Sequence, residues 1–285
     1  MAASGESDAR TLAELRAKID QIDGEIHRLL MDRGTVIEAL IAAKGTQTRA
    51  AFRPQREAEM MRRLVARHSG ALPLQTVEHL WREIITTFTF MQAPFRVVVD
   101  YGPDRVGTHD LARFVFGFSV EFVTAAGAAD VVSRVAASGS DLGLIPADTT
   151  DRDPWWRRLS DAKGPRIMSV LPFIDQRGRT ASAPAFVISP LLAEPTPPDL
   201  RVFAATATAA GETELRAERH VAVLAAVDGA DGRRELMVAL PTGDDEASLH
   251  LRGVEDVIPI GGIARGIADS EAGDPLRSPF RSGSV

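Results

Sequence analysis

Three cations and one amide in the first 95 residues stand where the surrounding pattern calls for apolar side chains, and a fourth cation lies beside it. Between Thr11 and Lys44, apolar residues recur in alternating steps of three and four, the spacing of a helix with a coiled-coil-like seam. With Leu12 as heptad position a, the a positions are Leu12, Ile19, Ile26, Arg33 and Leu40, and the d positions are Leu15, Ile22, Leu29, Val36 and Ala43. Arg33 interrupts this seam. Lys44 follows eleven residues later, about 20° off the same face and ~16 Å along it. Arg56 precedes Met60 by four and Leu64 by eight, which predicts an inward arginine on a second helix. Gln92 follows Phe88 by four and Ile85 by seven, inward on a third. Arg16 lies one residue past Leu15, about 100° round from Arg33, and so faces a different helix or another protomer. A buried, unpaired guanidinium costs several kcal/mol. Snorkelling or an ion pair accounts for any one of these residues. Together, with few acids in the same stripes, they point to a pocket for an anion, and bidentate arginines suit a dicarboxylate.

Three helices must position these groups. The first runs from Thr11 to about Lys44. The second opens at Pro54, proline being tolerated at the first helical position, and stops before Gly70. The third runs from Pro73–Leu74 to Gln92 with Val77, Trp81, Ile84, Ile85, Phe88 and Met91 as its stripe, and Pro94 ends it. The first helix, about 35 residues, is a rod of about 50 Å. A compact domain of this size is only ~32 Å across. Its seam would stay wet in a monomer, so the pattern predicts a homodimer through residues 11 to 93.

After Pro94 strand-like and helix-like segments alternate, as in an α/β unit: RVVVD, a helix over Leu111 to Phe118, an extended Val120 to Thr124, a helix over Ala128 to Ser138, and the strand DLGLIP. Residues 199–267 read as a second, smaller mixed unit with a helix near Glu212 to Arg219, and 268–285 as a disordered tail. The expected organisation is α followed by α/β, with domains at 8–95, 96–190 and 199–267.

Composition narrows the function classes. The 285 residues include no cysteine, which excludes disulfide scaffolds, thiolate metal sites and a cysteine nucleophile. The six histidines show no metal-ligand spacing, so no metal is expected. Gly261–Gly262 to Gly266 lacks the strand–loop–helix context of a dinucleotide loop, so no cofactor is expected either. The net charge of -6 argues against nucleic acid. Residues 1–95 hold 13 basic and 12 acidic residues and the remainder 20 and 27, so the acidic excess does not oppose an anionic ligand at the helices. No secretory signal or membrane-length apolar run is visible, which predicts a cytoplasmic protein without a membrane partner.

The segments LAELRAKIDQIDGEIHRLLMDR, AAK, FRPQRE and LWREIITTFTFMQ, over residues 11 to 95, resemble the all-helical chorismate mutases, and most closely the mutase portion of bifunctional chorismate mutase–prephenate dehydratases. The resemblance implies an intertwined three-helix dimer. In it Arg16, contributed by the opposite subunit, and Arg33 would clamp the two carboxylates of chorismate, with Arg56 beside them. Lys44 and Gln92 would donate to the ether oxygen, and Glu57 would take the ring hydroxyl. Phe88 stands where many members carry a small polar residue, a contact Thr87 or Thr89 could supply, and Arg53 where they carry a neutral or acidic one. The implied activity is the rearrangement of chorismate to prephenate. It needs orientation of the enolpyruvyl arm and stabilisation of charge on the ether oxygen, but no nucleophile, metal or cofactor. The alternatives are a non-catalytic chorismate- or prephenate-binding regulatory module, and an isochorismate-pyruvate lyase in the same pocket.

Residues 96–190 resemble the first lobe of a prephenate dehydratase, with DLGLIPADTT at an acid-Asn-Ser/Thr motif, so that Asp148 replaces glutamate and Thr149 asparagine. The family's Thr-Arg-Phe appears as Pro184-Ala185-Phe186, without the hydroxyl or the guanidinium, so dehydratase activity is not expected. Residues 199–267 would be a regulatory or packing unit.

Overall fold

The computed structural model describes residues 2–44, 52–149, 153–176, 178–179, 181, 183–192 and 196–268. The tail expected to be disordered lies outside them from residue 269. The chain divides into two compact units, residues 1–48 and 49–285. The helical segment 8–95, expected as one domain, is therefore shared between two packing units.

The first unit is one helix, α1 (Ala2–Lys44), which begins nine residues before the expected Thr11. That added stretch, AASGESDAR, contains no proline and is rich in alanine, so nothing in it stops the helix. Every side chain described from Thr11 to Leu29 is exposed. The seam residues Leu12, Leu15, Ile19, Ile22, Ile26, Leu29, Val36 and Leu40 keep from 39% to 67% of their surface. Polar support along the rod is local: Arg28 bridges Asp32 at 2.6 Å, and both side chains are exposed.

The second unit opens with two consecutive helices in contact, α2 (Pro54–Arg67) and α3 (Leu74–Gln92), both close to where the sequence predicts them. Their apolar contacts run through Ala58, Met61 and Ile85 onto Phe173 and Ile174 of the C-terminal region. The helices are thereby part of the same packed body as the sheet.

The sheet has nine strands: β1 (Val97–Val99), β2 (Phe122–Thr124), β3 (Leu142–Pro146), β4 (Arg166–Leu171), β6 (Ala185–Ser189), β7 (Leu200–Ala207), β8 (Ala222–Asp228), β9 (Arg234–Pro241) and β10 (Val254–Ile263). Their order is β2-β1-β3-β6-β4-β10-β7-β9-β8. Two short strands, β5 (Ile174–Asp175) and β11 (Ile267–Ala268), pair separately. The β2-β1-β3 edge is parallel and is covered on both faces. Val98 packs with Val131, Val132 and Val135 of α5 (Ala128–Ala137). Val97 and Val99 pack with Leu111, Val115 and Phe116 of α4 (Arg105–Phe116) on the other side. Helix α4 starts six residues before the expected Leu111, because Asp104 caps it by accepting from the Gly107 N–H at 2.9 Å. The remaining helix is α6 (Ala209–Ala217), capped by Thr208.

The segments 96–190 and 199–267, expected as separate units, contribute strands to this one sheet. The seam between them is the parallel pairing of Gly261 with Ile167. A Cβ at position 261 would lie 2.2 Å from the Ile167 carbonyl oxygen, so glycine is what lets β10 close against β4. The consecutive tryptophans span the same junction. Both are buried, and the Trp156 indole donates to the Leu236 carbonyl at 3.1 Å. No described helix is long and apolar enough to cross a membrane, and no metal-binding group of His, Asp and Glu is found among the described residues.

Candidate active site

On α1, Arg16 is exposed and Arg33 partly buried. The side chain of Lys44 lies outside the described residues. The other predicted site residues belong to the second unit. Proline at position 54 starts α2 and places Glu57 in its first turn. The buried face of α2 is Pro54, Gln55, Ala58 and Met61. Arg56 does not share it. The inward orientation expected from its spacing to Met60 and Leu64 is corrected by the structure, in which Arg56 is exposed and those two apolar residues lie at the edge of the packed face.

Helix α3 differs more deeply from its sequence pattern. Its buried residues are Glu78, Arg82, Ile85, Thr86 and Thr89, a mostly polar face. Of the expected stripe, Ile85 is buried, Val77, Trp81, Ile84 and Phe88 are only partly buried, and Met91 is exposed. Three groups of this polar face, on Glu78, Arg82 and Thr86, meet partners from elsewhere in the fold. Thr86 donates to the Val115 carbonyl at 3.1 Å. Glu78 receives Arg179 through bonds of 2.6 and 3.3 Å, with both side chains 1% exposed. Arg179 also donates to the carbonyls of Ile174 and Ala181, and its guanidinium lies 4.4 Å from the Phe114 ring centre.

Arg82 meets Glu57 at 3.1 Å, with side chains 6% and 16% exposed. Both line a cavity of about 20 Å³ between α3, α4, β4 and β6, together with Thr86 and Thr89. Burial pushes the Glu57 carboxyl up. The Arg82 charge and the Arg53 backbone offset only part of that. The Arg82 Nε is buried without a hydrogen-bond partner among the described residues.

The structure thus brings Glu57 together with Arg82, Thr86 and Thr89. It does not bring Glu57 to Phe88 or Gln92, which sit roughly 100° round α3 from that face. Gln92 instead donates to its own helix, at the Phe88 carbonyl, 2.9 Å away. Sequence reasoning missed Glu78, Arg82 and Arg179. The available signal was an acid and an arginine four residues apart, each directly following a stripe position, at Val77 and Trp81.

In the sheet region, Asp100 is buried at the end of β1 and accepts from the Gly102 N–H at 3.0 Å. The Pro184 carbonyl accepts from the Ala147 N–H at 2.8 Å.

Residues 15–93 match the family described as chorismate mutase type II. The chain is 30% identical over 143 residues to a bifunctional chorismate mutase/prephenate dehydratase of Aquifex aeolicus, covering 49% of this chain and 39% of that protein. It is 30% identical over 155 residues to another of Neisseria gonorrhoeae, covering 53% and 42%. The chain thus spans about two fifths of the length of these relatives. Among solved structures it is similar to GqqA, described as a novel type of quorum quenching acylase (TM-score 0.41, 10% identity, 65% of this chain and 98% of that one). It is also similar to prephenate dehydratase from Streptococcus mutans (TM-score 0.36, 12% identity, 59% and 98%). At these scores neither likeness carries an argument. The chain carries a chorismate mutase type II domain at residues 15–93, and its relatives are bifunctional chorismate mutase/prephenate dehydratases.

Proposed function

We propose that the helical part of this chain rearranges chorismate to prephenate as a homodimer in the cytoplasm. The observation that carries the proposal is the family match over 15–93, which includes every candidate position from Arg16 to Gln92. The uncovered apolar residues of α1 and the half-covered stripe of α3 support the dimer: a second copy would bury both and bring Arg16 to its partner's site. Within that site Arg16 and Arg33 hold the two carboxylates, with Arg56 beside them. Lys44 and Gln92 donate to the ether oxygen as its C–O bond breaks, and Glu57 accepts from the ring hydroxyl. The chemistry is orientation plus charge stabilisation on one substrate molecule.

Gln92 reaches this arrangement from another bonding state, and Glu57 while paired with Arg82. Gln92 must release the Phe88 carbonyl, a neutral bond worth about 1 kcal/mol net. Glu57 starts from its bond to Arg82. The C-terminal region is proposed as a scaffold without dehydratase turnover, since Pro184 and Ala185 supply neither hydroxyl nor guanidinium for proton transfer.

The test is loss of chorismate absorbance on adding full-length protein, with Arg33→Ala in parallel. Turnover that falls roughly 100-fold or more in the variant is expected. Absence of turnover in the wild type, or equal turnover in both, would overturn the proposal.

A further inference from the structure

We propose that Arg82 is a positioning residue of the mutase site, holding the Glu57 carboxylate at the wall of the cavity beneath α3. This inference rests on the mutase reading above. The geometry is specific. Arg82 Nη1 reaches Glu57 Oε2 at 3.1 Å, and the arginine side chain is 94% buried. Its Nε has no partner among the described residues, so this carboxylate is the group that compensates its charge.

The surroundings of Glu57 make the pair consequential. Among the lining residues, α4 presents Val115 and Phe116, β4 presents Ser169 and Leu171, and β6 presents Val187, none of them charged. On α2 itself, the Arg53 backbone is the other group that acts on the carboxyl. Burial by these walls favours the neutral acid, and Arg82 is the countercharge that opposes it. A group that must accept from a substrate hydroxyl has to stay charged and aimed. Arg82 supplies both without touching the substrate. It is held in turn by the Thr86 bond to Val115, one turn further along α3, which ties this face of α3 to α4.

The experiment compares full-length wild type, Arg82→Gln and Arg82→Lys by mutase kinetics against pH. A second readout is ¹³C NMR titration of the Glu57 carboxyl, assigned with Glu57→Gln. Arg82→Gln keeps an amide donor and loses the charge. Its kcat/KM should fall roughly ten- to hundredfold. Without the countercharge Glu57 protonates at higher pH, so both the acid limb of the profile and the carboxyl titration should rise by about one unit or more. Arg82→Lys should return both close to wild type. An active wild type with unchanged profile and titration in Arg82→Gln overturns the role of Arg82 alone. A wild type that leaves chorismate untouched overturns the mutase reading, and with it the use of this pair, whatever the titration shows. Should Arg82→Gln fail to fold by circular dichroism, Arg82→Lys decides. Kinetics identical to wild type support the charge-holding role, and an acid limb raised as far as a full charge loss predicts overturns it.

Discussion

Replacing Arg179 with methionine isolates what fastens α3 to the α/β body. Arg179 and Glu78 are each 1% exposed, so removing the guanidinium leaves a carboxylate with no water to turn to. Breaking a buried pair from one side costs about 3–5 kcal/mol. The Ile174 and Ala181 carbonyls lose their donor as well, and an unsatisfied buried acceptor costs about 1–3 kcal/mol. These terms share one relaxation, so a total near 4 kcal/mol is expected, or a melting temperature about 8–16 °C lower at this chain size. The double variant Arg179→Met with Glu78→Leu removes the stranded charge and should recover more than half of that loss, leaving mainly the two carbonyls. The control is Arg28→Ala. Its pair with Asp32 is 62% and 60% exposed, and exposed i,i+4 pairs are worth about 0.3–0.5 kcal/mol. Urea unfolding followed by circular dichroism reads all three. A single variant that loses less than about 1 kcal/mol, or a double variant as damaged as the single, would refute the reasoning.

Ile26→Asp, which places a charge in the exposed α1 seam, should convert a dimer to the 30.7 kDa monomer in sedimentation, and an unchanged dimer mass would exclude that seam as the interface. Gly261→Ala should lower the melting temperature, because the added methyl meets the Ile167 backbone, where overpacking costs about 1–3 kcal/mol; a neutral result would mean that β10 does not close on β4. Burial alone would raise the Asp199 carboxyl, but the Arg265 backbone N–H and the Arg62 guanidinium outweigh it and hold the carboxyl below the usual aspartate range. Its stabilisation is therefore present above the ordinary aspartate value and is lost as pH falls through the lowered one. The stability gap between wild type and Asp199→Asn should accordingly be full at pH 7 and shrink as pH falls into strong acid, and a gap that does not shrink on acidification would contradict this.

Local signals carried much of the molecule. Proline at 54 and 94, with apolar spacing between, marked the start of α2 and the end of α3, and most strands of the α/β part follow from short apolar runs bounded by turns, while β4 was not read. Arg33, Lys44, Arg56 and Gln92 stood out because a polar group in an apolar stripe violates a strong local rule, although Arg56 is exposed in the fold; Arg16 drew notice beside the seam, and Glu57 only through the family resemblance. Which face of α3 is buried was not legible. Of its apolar stripe the fold fully buries only Ile85, and it buries a neighbouring polar face beside it, since Glu78, Arg82 and Thr86 find partners in Arg179, Glu57 and the Val115 carbonyl. Two of those partners lie about 30 and 100 residues further along the chain. A side chain's preference for water or interior is local, but satisfaction of a buried polar group depends on what chain closure brings to it. The same holds for the sheet, where one missing Cβ at Gly261 joins two segments that read as separate. Amino-acid pattern determined the elements and the candidate chemistry, and tertiary closure decided which polar groups could be buried together.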